Sequence, residues 1–355
     1  MAKLDFGLFD PLHGYEFAST NPADVYDKHI RQVQIAEQLG YRYYFVIEHQ
    51  TATVSHMTAP TVYLTAVAQH TSSIRFGSMI FPLPFYHPIR LAQDTAMLDH
   101  LSRGRLEFGM GLGTSPHEFT RWGMPYSERR ERSEEAMEVI LKAWTEDSVS
   151  HHGKHWVFEE ALPQPKPYQQ PHPPVWVGAH SAPSFEYAAR HNFHVAQNID
   201  IDPVIAENFD YWRDQWKQQN HPGPMPRSFL TRAVHVAETD KLAREQAEPG
   251  LLAVFTIGSE KIRDSRIGFG VRDGYVRREE LDRLFSGMAT SYDFWIDNGL
   301  AFVGSPDTVA RQLEDSQRRL GYDTFCGNFH FGPGSGEFVE KSIRLFAEKV
   351  APHFA

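Results

Sequence analysis

Short apolar runs alternate along the chain with longer stretches whose apolar residues recur every three or four positions. The runs begin near residues 4, 42, 74, 105, 174, 194, 229 and 324; Leu4–Phe9 and Arg42–Ile47 are typical. Their shortness and their β-branched and aromatic content predict strands, those such as Arg42–Ile47 buried on both faces. Tyr26, Ile30, Val33, Ala36 and Leu39 form a helical stripe, and Gly40 follows as a terminating glycine. Further helices are predicted over 58–70, 89–101, 127–144, 184–191, 203–219, 306–320 and 338–350, and one starts at 240. Eight strand–helix units predict an α/β fold, a (β/α)8 TIM barrel with insertions, in which residues 1–355 form one barrel domain. Residues 148–173, polar and then rich in proline, read as a surface hairpin. Residues 250–303 read as a long insertion after the seventh strand, part of a lid.

Composition narrows the picture. The 355 residues suit a barrel of this kind, and 41% apolar content supplies a large core. Lys and Arg number 35 against 45 Asp and Glu, a net charge of −10, which argues against a nucleic-acid partner. No run approaches the roughly 18 apolar residues of a membrane helix. The N-terminus has no signal-peptide pattern and the chain has one cysteine, Cys326, so a cytoplasmic protein without disulfides is expected. The 19 histidines raise metal binding or acid–base chemistry.

A (β/α)8 barrel carries its site at the C-terminal ends of the strands. Those ends read Glu48-His49-Gln50, Met79-Ile80, Gly111-Leu112-Gly113-Thr114, Gly178-Ala179-His180-Ser181, Gln197 and Asn328-Phe329-His330. Gly111 and Gly113 lack the Cβ that would keep a flat ligand off the backbone. Ser181 precedes a helix with Pro183 in its first turn, and free amides there suit a phosphate as well as they suit a plain serine cap. An open doubly wound sheet is the competing architecture. Against it, Thr114 stands where the third glycine of G-x-G-x-x-G belongs.

Several segments, in this order and spacing, resemble the bacterial-luciferase-like flavin-dependent monooxygenases. They include Leu39-Gly40-Tyr41 through Glu48-His49-Gln50, His87-Pro88-Ile89-Arg90, Leu98 through Arg105, Gly109–Gly113 with His117-Glu118-Phe119, Pro174–Gly178, Val303 through Val309 and Phe329-His330-Phe331-Gly332. The resemblance covers nearly the whole chain. It implies FMN at the barrel mouth, taken up reduced from a separate reductase, and O2 used to oxidise a small apolar organic substrate. It implies His49 as catalytic base, a role suited to a residue type that titrates near neutral pH. It also implies a non-proline cis peptide at Met79-Ile80, and phosphate contacts at Ser181, Ser184 and Arg130. The family commonly forms homodimers. Departures from luciferase itself are Gly111 for its reactive cysteine, Leu112 for a following arginine, His180 for a glutamate and Gln50 for a second histidine. Light emission from a long-chain aldehyde is therefore not implied.

The expected site is thus His49 and His180 for catalysis, with Met79, Ile80, Gly111, Gly113, Thr114, Arg130, His180, Ser181 and Ser184 around the cofactor. The alternative is hydride transfer with the deazaflavin F420 on the same fold. A metal-dependent barrel hydrolase and a flavin-binding protein without catalysis stand behind it. His151-His152-x-x-His155 has zinc-like spacing, but Gly153 and the alternation after it favour a solvated hairpin without metal. His330 either lines the cleft or packs.

Overall fold

The computed structural model describes residues 3–18, 20–51, 55–254 and 278–354. The elements begin with β1 (Asp5–Asp10), α1 (Pro22–Gln38), β2 (Tyr43–Val46), α2 (Pro60–His70), β3 (Arg75–Pro82), α3 (Pro88–Ser102) and β4 (Leu106–Gly111). Then come α4 (Pro116–Arg121), α5 (Arg129–Thr145), β5 (Val149–His152), β6 (Val157–Ala161), β7 (Val175–Gly178), α6 (Ala182–Arg190), β8 (His194–Gln197), α7 (Asp202–Gln218), β9 (Ser228–Val236) and α8 (Asp240–Val254). The chain closes with α9 (Arg278–Thr290), α10 (Tyr292–Asp297), β10 (Ala301–Gly304), α11 (Pro306–Leu320), β11 (Thr324–Asn328) and α12 (Val339–Leu345).

Strands β1, β2, β3, β4, β7, β8, β9 and β11 pair in parallel, each with the next, and β11 returns to β1. The eight strands anticipated from the runs are these eight, and the barrel is closed. Parallel strands separated by helices must bury both faces, which is why the runs show no polar alternation. Inside, Phe9, Tyr43, Phe45, Met79, Trp176, Ala196, Phe229 and Cys326 fill the barrel. Outside, the helices bury their apolar stripes: Val309, Leu313 and Leu320 of α11 are each buried. Asn21 caps α1 by accepting the Ala23 N–H at 3.0 Å, and Gly40 after α1 has a φ of 85°.

One strand was not anticipated. β10, inside the stretch read as an irregular insertion, pairs with Ala233–Val236 at the far end of β9. A second core joins it to α8 through Leu284, Phe285, Met288, Tyr292, Trp295 and Leu300, packed on Ala243, Ala247 and Leu251. Of the stretch 250–303, residues 255–277 lie outside the described residues. The hairpin expected within 148–173 is β5 paired antiparallel with β6. Among the described residues, no helix is long and apolar enough to cross a membrane.

Candidate active site at the barrel mouth

Every residue expected at the site lines one cleft at the C-terminal end of the barrel: His49, Met79, Ile80, Gly111, Gly113, Thr114, Arg130, His180, Ser181 and Ser184. Strand geometry does this work. Each residue sits at or just beyond the end of a barrel strand, or on α5, whose first turn leans over the same opening.

Met79-Ile80 is a cis peptide bond. Pairing between β3 and β4 stops at Ser78–Phe108 and resumes at Phe81–Met110, so the ladder skips the cis unit. Ile80 is turned into the mouth, and the glycines make room for it. A Cβ at Gly111 would meet Ile80 Cγ1 at 2.7 Å, and one at Gly178 would meet Ile80 Cγ2 at 2.9 Å. Gly111 therefore accommodates Ile80 first, and a ligand only through it. Gly113 has a φ of 75°, a backbone shape that favours glycine.

His49 Nδ1 lies 3.0 Å from Glu118 Oε1 on α4. Glu118 is buried, and the same oxygen accepts the Gln50 N–H at 3.2 Å. The carboxylate holds the proton of His49 on Nδ1 and leaves Nε2 for exchange with a ligand. Beside it, Glu48 accepts from the Tyr86 hydroxyl and the Gln50 amide, each at 2.6 Å. Burial outweighs these bonds and pushes the Glu48 carboxyl up to about 8. The cleft thus holds a carboxyl group that keeps its proton to a higher pH than an exposed glutamate does.

Across the mouth, His180 Nδ1 lies 3.1 Å from Asp200 Oδ2, a second imidazole oriented by a buried carboxylate. Next to it, Arg130 donates to the Ser181 and Ser184 hydroxyls at 3.2 and 3.4 Å. The two hydroxyls are 3.2 Å apart. Of the two readings of Ser181, a plain cap of α6 and a phosphate contact, the cap is not made: its side chain forms no cap bond and is turned towards the arginine. A guanidinium, two hydroxyls and the amino end of a nine-residue helix converge on one point, an arrangement fitted to a phosphate.

Other expected features settle elsewhere. The hairpin histidines are tied to α5: Glu135 accepts from the His155 and Trp156 N–H groups at 3.1 and 3.0 Å and lies 3.2 Å from His151 Nε2. His330 is not in the cleft. It stacks on His29 with ring centroids 4.4 Å apart and bonds Gln32. Asp10, His29 and His330 have ligand-like spacing, but stacked rings do not aim their in-plane lone pairs at a common ion. They act as an ion-pair network. His29 Nδ1 is 2.6 Å from Asp10 and Nε2 is 3.1 Å from Glu16. Burial opposes the charge on His29, yet the two carboxylates outweigh it and raise its pKa to about 9.

Sequence reasoning did not identify Glu118 or Asp200 as partners, nor Asn198 and Thr231 as lining residues, and it placed Glu48 at the mouth without giving it a role. Glu118 lay in a quoted segment; its pairing with His49 is visible only once α4 folds over the mouth.

A family model described as luciferase-like monooxygenase matches residues 4–324. Limonene 1,2-monooxygenase of Rhodococcus erythropolis is 25% identical, covering 99% of this chain and 87% of that protein. The oxygenase component of the flavin-dependent trigonelline monooxygenase of Acinetobacter baylyi is 26% identical, covering 82% of this chain and 89% of that one. Among solved structures, a monooxygenase from Streptomyces bottropensis superposes with a TM-score of 0.81 at 24% identity, covering 99% of this chain and 100% of the other.

Proposed function

This chain is an enzyme belonging to the luciferase-like monooxygenase family, and from that premise we propose that it is the FMN-dependent oxygenase of a two-component system, acting on a small, largely apolar organic substrate. The observation that carries the cofactor is the convergence of Arg130, Ser181 and Ser184 at the start of α6. A phosphate there would replace hydroxyl contacts by charge-assisted bonds. The Met79-Ile80 segment, backed by Gly111 and Gly178, offers a side surface for a flat ring. The trigonelline enzyme's designation as an oxygenase component supports a separate reductase here.

When bound, reduced flavin supplies the electrons that activate O2. The protein's own residues do the rest. Arg130 and the two serines hold the phosphate end. His49, fixed by Glu118, exchanges a proton at Nε2. Phe9, Ile47, Ala196 and Phe229 line the cleft and keep water from the reacting atoms. The same apolar lining supports an apolar substrate.

The test is rapid mixing of reduced FMN, with protein in excess, against oxygenated buffer. Flavin reoxidation should follow a rate different from that of free FMN. A rate equal to that of free FMN would remove the support for an oxygenase. Turnover only with reduced F420, without oxygen uptake, would replace it by hydride transfer.

A further inference from the structure

We propose that the Thr231 hydroxyl and the Asn198 side-chain amide form a hydrogen-bonding subsite on the floor of the cleft, which takes a carbonyl-bearing edge of a bound organic molecule. The proposal rests on the cleft being the ligand site, as read above. Thr231 Oγ1 and Asn198 Oδ1 are shielded from solvent and have no hydrogen-bond partner in the protein. Both residues line the cleft. Strand alternation accounts for their direction: Thr231 lies two residues after Phe229 and Asn198 two residues after Ala196, and Phe229 and Ala196 belong to the barrel interior. Thr231 is 6% exposed.

Neither group is needed to hold the local fold. Arg232, the next residue on β9, points the other way and is buried. It donates to the Asn198 carbonyl, to the Asp200 carbonyl at 2.9 Å and to the Asp202 carboxylate at 3.1 Å. The turn from β8 to α7 is therefore pinned through its main chain. That leaves the Asn198 side chain free and also fixes Asp200, the partner of His180. A buried polar group without a partner is costly, and a ligand that supplies the partner recovers the loss. The nearby lining is apolar: Phe9, Met79, Ala196 and Phe229. A pure hydrocarbon against this floor would leave both polar groups unpaired, and a site of this kind discriminates against it. Hydroxyl and amide together can donate and accept. They suit a carbonyl next to an N–H or O–H, which either the imide edge of a flavin or an oxygenated substrate presents.

The experiment compares wild type, Thr231→Val and Asn198→Leu. FMN and N3-methyl FMN are titrated by fluorescence quenching. Cyclohexanone and methylenecyclohexane are titrated by calorimetry, with and without FMN. If the flavin is the source, Thr231→Val weakens FMN by about 3- to 10-fold and leaves N3-methyl FMN less affected. If the substrate is the source, the same loss falls on cyclohexanone and spares methylenecyclohexane. In both cases the ligand-free Thr231→Val protein melts no lower than wild type, because it loses an unpaired group and no bond. Wild-type affinity of both variants for all four probes would overturn the subsite, as would a lowered melting temperature with unchanged binding. Failure of wild type to bind FMN would overturn the flavin reading instead, and the cyclohexanone comparison without flavin would still decide the subsite.

Discussion

Replacing His49 with alanine lowers substrate oxygenation by about 10²- to 10⁴-fold while FMN still binds, the loss expected for a general acid–base residue that does not hold the cofactor. His49 stands just after β2 and lines the same cleft, its Nδ1 is engaged by Glu118, and the hydroxyl partners of Arg130 are Ser181 and Ser184. Removing the imidazole leaves Arg130, Ser181 and Ser184 in place. Glu118→Gln is the companion variant. It keeps the shape, and its carbonyl oxygen can still accept from the Gln50 and His49 N–H groups, but it removes the negative charge that favours the protonated imidazole, so it should lose part of the activity and alter the pH profile of turnover. Steady-state oxygenation and FMN titration on the same preparations check both. Unchanged turnover in His49→Ala would remove the residue from the mechanism.

Replacing His29 with leucine destabilises the protein by about 3 kcal/mol near pH 5–6, because it strands the buried Asp10 carboxylate without its cation, while Glu16 keeps Lys28 at 3.3 Å. His29 is fully buried between Asp10 and Glu16, and Asp10 also accepts the Tyr44 hydroxyl at 2.8 Å and the Leu12 N–H at 3.1 Å. The pH dependence follows from the two shifts. His29 titrates near 9 when folded, above its ordinary 6.5, so its contribution is complete below about 6.5 and is lost as pH rises through about 9. Burial raises the Asp10 carboxyl, but the His29 charge outweighs it and brings the group down to about 2, below its ordinary 3.8. That contribution is present above about 4 and is lost as pH falls through about 2. The difference between wild type and His29→Leu is therefore greatest between about pH 4 and 6.5 and shrinks towards pH 9. Denaturant unfolding across that range measures it; a difference that stays constant from pH 5 to 10 would contradict the ion-pair account.

These two residues also mark the limit of what the sequence makes legible. His49 could be singled out because it follows a short apolar run, and strand ends in a barrel gather at one mouth. The same logic pointed to Met79, Ile80, Gly111, Gly113, Thr114, His180 and Ser181, and the family pattern added Ser184 and Arg130; all line the cleft. His29 was invisible because an apolar stripe passes over polar residues, although the buried face of α1 is Val25, His29, Gln32, Val33 and Ala36. Its partner Asp10 looked like a turn residue before Pro11. Glu118 and Asp200 lie 69 and 20 residues from the histidines they orient, and nothing local connects them. β10 was missed for another reason. It is only four residues long, and its pairing with β9 depends on the core built by α8, α9 and α10. The histidine-rich hairpin was readable as a surface element, but the carboxylate of Glu135 that anchors it comes from a helix one element earlier.

A flavin phosphate held by Arg130, Ser181 and Ser184 is tested most directly by titrating FMN and riboflavin in parallel, by fluorescence quenching, on wild type and Arg130→Ala. Wild type should bind FMN at least about 10-fold more tightly than riboflavin, the worth of one charge-assisted contact. Arg130→Ala should lose most of that preference with little change for riboflavin. Equal affinity of the wild-type protein for the two ligands, or no binding of FMN, would contradict it.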